Sequence, residues 1–330
     1  MSATLYNPKQ KMVFVRGVLG RLIGAGLVAL LAWTGPLLHG VRAQGAVTGT
    51  IAFAQDDLGN DWRRAQVTAV KRVLDQYPGV DFRVTDAGGE PAVQALHIDR
   101  FVQQGVDVLI TSPAQARILD PALKRARKAG VPVILLDRRT TTPAFTSFVH
   151  PDNRRITRRL ARSLFRRMGD AGRVLMLKGV PGATPTRHRT QAFLAMADDR
   201  PNVEVTTRTA NYLRGDAILA VDRLLRQGEG FPFDAIYAQS DSMAEGARIA
   251  LRRNGIDPKG LVIAGIDYIR QAQAAIRRGV QDVSFTYPTG GAEGARLALR
   301  LLRGEPVPEE VVLESRQVTQ DNADHVAPIF

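Results

Sequence analysis

The sequence predicts an α/β protein built as two doubly wound parallel-sheet lobes joined at a hinge. Three observations carry this expectation. From Gly49 onward, short β-branched runs alternate with longer amphipathic segments, as parallel strands linked by crossover helices do. That stretch is long for one open sheet, and its strand and helix units fall into two groups of similar size around Phe148–Asn153. With 330 residues, 45% apolar and 23% charged, the chain can bury one or two substantial cores, and nothing in its balance suggests disorder.

Taken in order, the first segment stands apart. Lys9, Lys11, Arg16 and Arg21 precede an apolar run from Leu22 to Trp33, and no acidic residue occurs before Asp56. The run is shorter than the roughly 20 apolar residues that span a bilayer, and Val41-Arg42-Ala43 offers small residues for cleavage. Residues 1–43 are therefore expected to be a signal peptide, with an uncleaved anchor as the alternative. The chain has no cysteine, which excludes disulfides, thiolate catalysis, zinc–cysteine sites and lipid attachment through an N-terminal cysteine.

Nine strands are expected, at Gly49–Ala54, Asp81–Thr85, Val106–Thr111, Val131–Leu136, Arg173–Lys178, Val203–Thr207, Ala235–Ala238, Leu261–Ile266 and Asp282–Thr286. Residues 48–150 plus 287–313 form the expected N-terminal lobe, and 151–286 plus 314–330 the C-terminal lobe. Hinge crossings are placed at Phe148–Pro151, Thr286–Pro288 and Leu313–Ser315. Between Ile156 and Met168, Ile156, Leu160, Leu164, Phe165 and Met168 recur at helical spacing, while Arg155, Arg158, Arg159, Arg162 and Arg166 fall largely elsewhere. Asp152 or Asn153 can cap this helix. Its arginines make either a solvated face or a surface for an acidic partner or anionic headgroups.

The net charge of +13 includes five cations from residues 1–43, which leaves about +8 on the remainder. The arginines are scattered over many helices, without an aromatic-interleaved basic stripe or helix-turn-helix, so no nucleic-acid partner is expected. Hydrolase chemistry lacks a Gly-x-Ser-x-Gly elbow. Gly290-Gly291-Ala292-Glu293-Gly294 lacks both the first-strand context of a dinucleotide fingerprint and the lysine of a phosphate loop, so it is expected to start a helix. The five histidines, His39, His97, His150, His188 and His325, have no ligand-like spacing, and no metal or other cofactor is expected. His188 faces either a ligand or solvent. The protein is not expected to be an enzyme.

In open α/β sheets ligands collect beyond the carboxyl ends of the strands. The residues there are Asn60-Asp61-Trp62-Arg63, Thr111-Ser112-Pro113, Asp137-Arg138-Arg139, Thr184 to Arg189, Asn211-Tyr212, Gln239-Ser240-Asp241, Asp267-Tyr268 and Thr286-Tyr287-Pro288. Collected at one cleft, they supply carboxylates, guanidinium groups, hydroxyls and aromatic rings. A carboxylate accepts from adjacent hydroxyls, an arginine fork donates to two oxygens, and a ring covers an apolar C–H face. Such a set suits a polyol.

Over residues 48–320 the chain resembles the type I periplasmic binding proteins of sugar transport systems, the ribose-binding and especially the galactofuranose-binding proteins. Leu135-Leu136-Asp137-Arg138, the stretch Gly179 to Arg189 leading to Phe193, Tyr237 to Ala247, and Gly265-Ile266-Asp267 carry the resemblance. It implies that Asp137 and Arg138 hold hydroxyls from the first lobe, with Trp62 stacking and Asn60 and Arg63 beside it. Arg189, Tyr212 and Asp267 would close from the second. The Trp62-Arg63 pair resembles the galactofuranose-type branch. The chain departs from the family pattern at Ser112, Ser240 and Thr286, where its polar groups are shorter and leave room for a larger ligand or bridging water, and at Tyr268, where the family has glycine. With Asp241, the residues Ser112, Ser240 and Thr286 complete the candidate site: Asn60, Trp62, Arg63, Ser112, Asp137, Arg138, Arg189, Tyr212, Ser240, Asp241, Asp267 and Thr286.

The implied protein is a monomeric periplasmic carrier of a monosaccharide. It hands its ligand to an ABC permease or, alternatively, docks to a histidine kinase or chemoreceptor, and it touches the membrane only through that partner. A repressor effector domain of the same fold would carry a DNA-binding headpiece where this chain has its leader.

Overall fold

The computed structural model describes residues 47–226 and 230–330. The expected signal peptide lies outside the described residues.

Two parallel sheets organise the chain. The first has the order β11-β5-β4-β3-β1-β2, from Gly49–Gln55 (β1), Val80–Asp86 (β2), Val108–Thr111 (β3), Val133–Leu136 (β4), Ser147–Pro151 (β5) and Glu310–Leu313 (β11). The second has the order β7-β6-β8-β9, from Gly172–Lys178 (β6), Val203–Thr209 (β7), Ala235–Ala238 (β8) and Val262–Ala264 (β9). Parallel bridges Ala264 to Val283 and Asp267 to Thr286 extend its β9 side to Ser284–Phe285 (β10), which pairs antiparallel with Gln317–Val318 (β12).

Helices cover both faces of each sheet, as parallel strands require. Asp61–Leu74 (α1) and Gly291–Leu302 (α9) pack on one face of the first sheet, and Pro91–Gln103 (α2) and Ala116–Lys128 (α3) on the other. In the second lobe Asn153–Arg167 (α4) and Thr184–Asp198 (α5) cover one face, while Arg214–Arg226 (α6) and Asp241–Arg253 (α7) cover the other. A short helix, Arg270–Arg277 (α8), follows β9. The central strands β3, β4 and β8 are buried at every residue, consistent with their continuous apolar runs.

Local chemistry sets the helix starts. The Asn60 side chain accepts from the Arg63 N–H at α1, Asp152 from Arg155 N–H at α4, and Ser240 from Met243 N–H at α7. Gly290, at a φ of 73°, leads into α9, so the glycine cluster does open a helix. Its neighbour Gly291 lets α9 approach α1, because a Cβ there would sit 2.3 Å from the Gln66 carbonyl oxygen.

The chain passes between the sheets three times: from β5 into α4 at Asp152, from β10 to α9 through Thr286–Gly290, and from β11 to β12 through Glu314–Arg316. The segment expected only as a crossing at Phe148–Pro151 is itself strand β5, in register with both β4 and β11. Its His150 and Pro151 mask the strand in sequence. The edge strand β11 and the two-residue strand β12 also escaped the periodicity.

Candidate functional site

A cavity between the lobes is lined from the first by Asp56, Asp57, Asn60, Trp62, Arg63, Ala114, Asp137 and Arg138, and from the second by Val180, Pro185, Arg189, Asn211, Tyr212, Ser240 and Asp267, with Tyr287 on the middle crossing. These are the residues just past the strands, so the parallel topology gathers them at one place.

The first-lobe wall is a buried ring of ions. Arg63 Nη2 donates to Asp137 Oδ2 at 2.7 Å, and its Nε lies 3.3 Å from Asp56 Oδ1. Arg138 Nη1 donates to Asp56 Oδ2 at 2.5 Å. Two carboxylates and two guanidiniums thus neutralise one another out of bulk water. Burial pushes the Asp137 carboxyl up, but Arg63, Arg138 and the Tyr287 hydroxyl outweigh it and hold it below the usual carboxylate range. Within the ring, Asp56 Oδ1 has only its ion-pair contact with Arg63, and neither it nor Arg138 Nε has a hydrogen-bond partner among the described residues.

The second-lobe wall is built differently. Arg189 Nε donates to Asn153 Oδ1 at 2.8 Å, its Nη1 donates to the Gln239 carbonyl, and its guanidinium lies 4.4 Å from the centre of the Tyr287 ring. Asp267 is 6% exposed, and its carboxylate has no hydrogen-bond partner among the described residues. Burial drives its carboxyl well above the ordinary range, with Arg189 only partly offsetting and Asp241 and Asp137 adding to the rise.

Tyr287 ties the walls together. Its hydroxyl donates to Asp137 Oδ1 at 2.6 Å and accepts from Asn153 Nδ2 at 3.0 Å, while its carbonyl accepts the Trp62 indole N–H at 3.1 Å. Asn60 adds a direct contact, Nδ2 donating to the Tyr212 carbonyl at 3.1 Å. Tyr212 sits against Gly179, where a Cβ would fall 1.9 Å from its ring.

Nine of the twelve expected residues meet at the cavity: Asn60, Trp62, Arg63, Asp137, Arg138, Arg189, Tyr212, Ser240 and Asp267. Three do not line it. Ser112 supports it from behind, its Oγ accepting from Arg63 Nη1 at 2.9 Å. Asp241 is turned into the second lobe, where it accepts from Tyr268 N at 2.6 Å, Ser284 Oγ at 2.5 Å and Gln281 Nε2 at 2.7 Å. Thr286 belongs to a crossing, its Oγ1 accepting from Arg316 N at 2.8 Å. Tyr268 also points away, its hydroxyl donating to the Ala323 carbonyl at 2.9 Å. His188 is not a lining residue; burial first, then Arg154 and Arg187, lower its pKa to about 4.

Asp56, Asp57, Asn153 and Tyr287 escaped the candidate set. Asp56 and Asp57 directly follow the first strand, so the strand-end rule itself offered the signal. Backbone strain also marks the site: Asp137, Asn211, Tyr212 and Asp267 adopt φ of 64°, 51°, 63° and 121°. Non-glycine residues rarely adopt such angles outside sites that the surrounding structure over-determines.

A match to the periplasmic binding protein domain family runs over residues 51–306. The chain belongs to that family. This periplasmic binding protein is 30% identical over 200 residues to the ribose import binding protein of Bacillus subtilis, a match covering 60% of this chain and 63% of that relative. Among solved structures it resembles a protein of Mycobacterium smegmatis in complex with β-D-fucofuranose, with 28% identity, a TM-score of 0.79 and coverage of 84% of this chain and 93% of the other. It likewise resembles the fructose-binding periplasmic domain of a hybrid two-component system, with 30% identity, a TM-score of 0.78 and coverage of 84% and 92%.

Proposed function

We propose that this periplasmic binding protein closes its two lobes around a monosaccharide, a galactofuranose-like sugar or another hexose or pentose, and delivers it unchanged to an ABC permease. One observation carries the reading: a neutral, pre-paired ion ring in one lobe faces Arg189 and an Asp267 carboxylate without a hydrogen-bond partner in the other. Adjacent sugar hydroxyls both donate and accept, so one ligand can complete both walls. The ribose-binding relative and the fucofuranose-bound neighbour support a furanose or related ring.

Ligand contacts on both lobes would favour the closed arrangement, with residues 48–150 and 287–313 moving against 151–286 and 314–330 about the three crossings. Export would follow from the leader in residues 1–43, cleaved near Ala43, giving a monomer in the periplasm. Among the described residues no helix is long and apolar enough to cross a membrane. A second reading, docking of the closed form to a histidine kinase, draws on the neighbour that is a domain of a two-component system.

A thermal-shift screen against pentoses, hexoses and polyols tests the binding function, since a ligand bound only by the native state raises apparent stability with its concentration. A sugar should raise the wild-type melting temperature, and Asp267→Asn should sharply reduce that rise. No shift with any sugar, or an undiminished shift in the variant, refutes the assignment. Small-angle scattering should show compaction with the bound sugar.

A further inference from the structure

Helix α4 carries seven arginines and no Asp or Glu between Asn153 and Arg167. Six of them, Arg154, Arg155, Arg158, Arg159, Arg162 and Arg166, are exposed on one side of the helix, opposite the buried Ile156, Leu160 and Leu164. None of the six has a carboxylate partner among the described residues; the seventh, Arg167, lies 3.7 Å from Asp282. Asp152 and Glu314 share a surface groove with Arg155 and Arg159, yet neither comes into ion-pair range, and Asp152 is engaged in capping α4. Exposed Arg187 of α5 and Arg316 extend the basic surface on either side. The lowered pKa of His188, to which Arg154 and Arg187 contribute after burial, fits this uncompensated field.

We propose that the arginine face of α4 adsorbs the protein to anionic phospholipid headgroups, each guanidinium taking a headgroup phosphate. At 1.5 Å per residue the helix makes a row about 22 Å long, and guanidinium forks match phosphate oxygens two at a time. An acidic protein partner fits less well. Protein interfaces centre on an apolar or aromatic core depleted of charge, and of the exposed large hydrophobics among the described residues a single one, Val312, lines the groove beside Arg155 and Arg159. None of the six arginines lines the ligand cavity, so adsorption is compatible with solute binding.

Co-sedimentation of the full chain with vesicles tests the proposal, using an equal mixture of phosphatidylglycerol and phosphatidylcholine against phosphatidylcholine alone. The latter reports adsorption that does not depend on lipid charge, and whatever the five cations of residues 1–43 add on anionic vesicles is common to wild type and every variant. Wild type should bind the anionic vesicles more strongly, and high salt should release that excess. Replacing Arg154, Arg158, Arg162 and Arg166 with glutamine should cut the excess about tenfold or more. The same change in net charge at exposed Arg223, Arg226, Arg252 and Arg253 should cost less than about twofold, because the attraction is confined to cations held near the surface. Lysines at the four α4 positions should restore most of the binding, and unchanged melting temperatures would show that the variants fold. Equal loss in both glutamine variants, or no dependence on phosphatidylglycerol, overturns the proposal. So does binding to poly-L-glutamate as strong as to the vesicles, which would assign the face to an acidic protein.

Discussion

Asp137 and Asp267 occupy corresponding places in the two lobes. Each lies just beyond a parallel strand, each is buried with a left-handed φ, and each lines the cavity. Their surroundings reverse their chemistry. Asp137 stands between Arg63 and the Tyr287 hydroxyl and is held below the ordinary carboxylate range, whereas Asp267 has Arg189 only at a distance and is pushed above it. Burial acts upward on both carboxyls, so the difference comes from the partners each wall supplies. The first lobe is preorganised and electrically closed; the second keeps an acceptor that a ligand can engage.

The most severe test of that contrast is Asp137→Ala. It leaves Arg63 buried without its closest acceptor, and loss of about 3–5 kcal/mol is expected in a denaturant titration, together with loss of ligand binding. By contrast, Asp267→Asn should leave the ligand-free protein as stable as wild type or more so, while weakening sugar affinity by roughly 10- to 100-fold in calorimetry.

Opposite linkage follows from the two pKa directions. Because the folded pKa of Asp267 is raised, the ligand-free protein should lose stability as pH rises from the ordinary carboxylate range through that folded value. Asp267→Asn should flatten this window. Asp137, with its lowered pKa, contributes stability that is present above the unfolded value and is lost as pH falls through the folded one. A stability–pH curve of Asp267→Asn that keeps the wild-type slope above the ordinary range would refute the distinction.

Tyr287→Phe removes the hydroxyl shared by Asp137 and Asn153, and about 1–3 kcal/mol should be lost because one of those bonds is to a charged group. The smallest effect is expected for Trp62→Phe. It deletes the indole donor to the Tyr287 carbonyl but keeps an aromatic ring, so about 1 kcal/mol should be lost in the same titration.

Strand-end chemistry was legible because a parallel sheet sends every strand's carboxyl end the same way. Trp62, Asp137, Arg189 and Asp267 are legible from the sequence on that ground, and all four line the cavity. Tyr287 stands at a strand end in sequence, but its importance lies in reaching Asp137, 150 positions away, which no local signal carries. Asp241 shows the converse. It too follows a strand, yet the N–H of Tyr268 and the side chains of Ser284 and Gln281 hold its carboxylate inside the second lobe. Strand β5 was hidden because His150 and Pro151 interrupt its apolar run, and pairing with β4 and β11 overrides that local signal.

The sequence by itself determined the alternation of strands and helices, the division into two groups of elements and the chemical types gathered at the strand ends, because periodicity and strand polarity are local properties. Only the tertiary structure decided which carboxylates are paired, which face the cavity and which are turned into the core. Those outcomes depend on side chains brought within 3 Å across large sequence separations, where burial and neighbouring charge set the energy of each group.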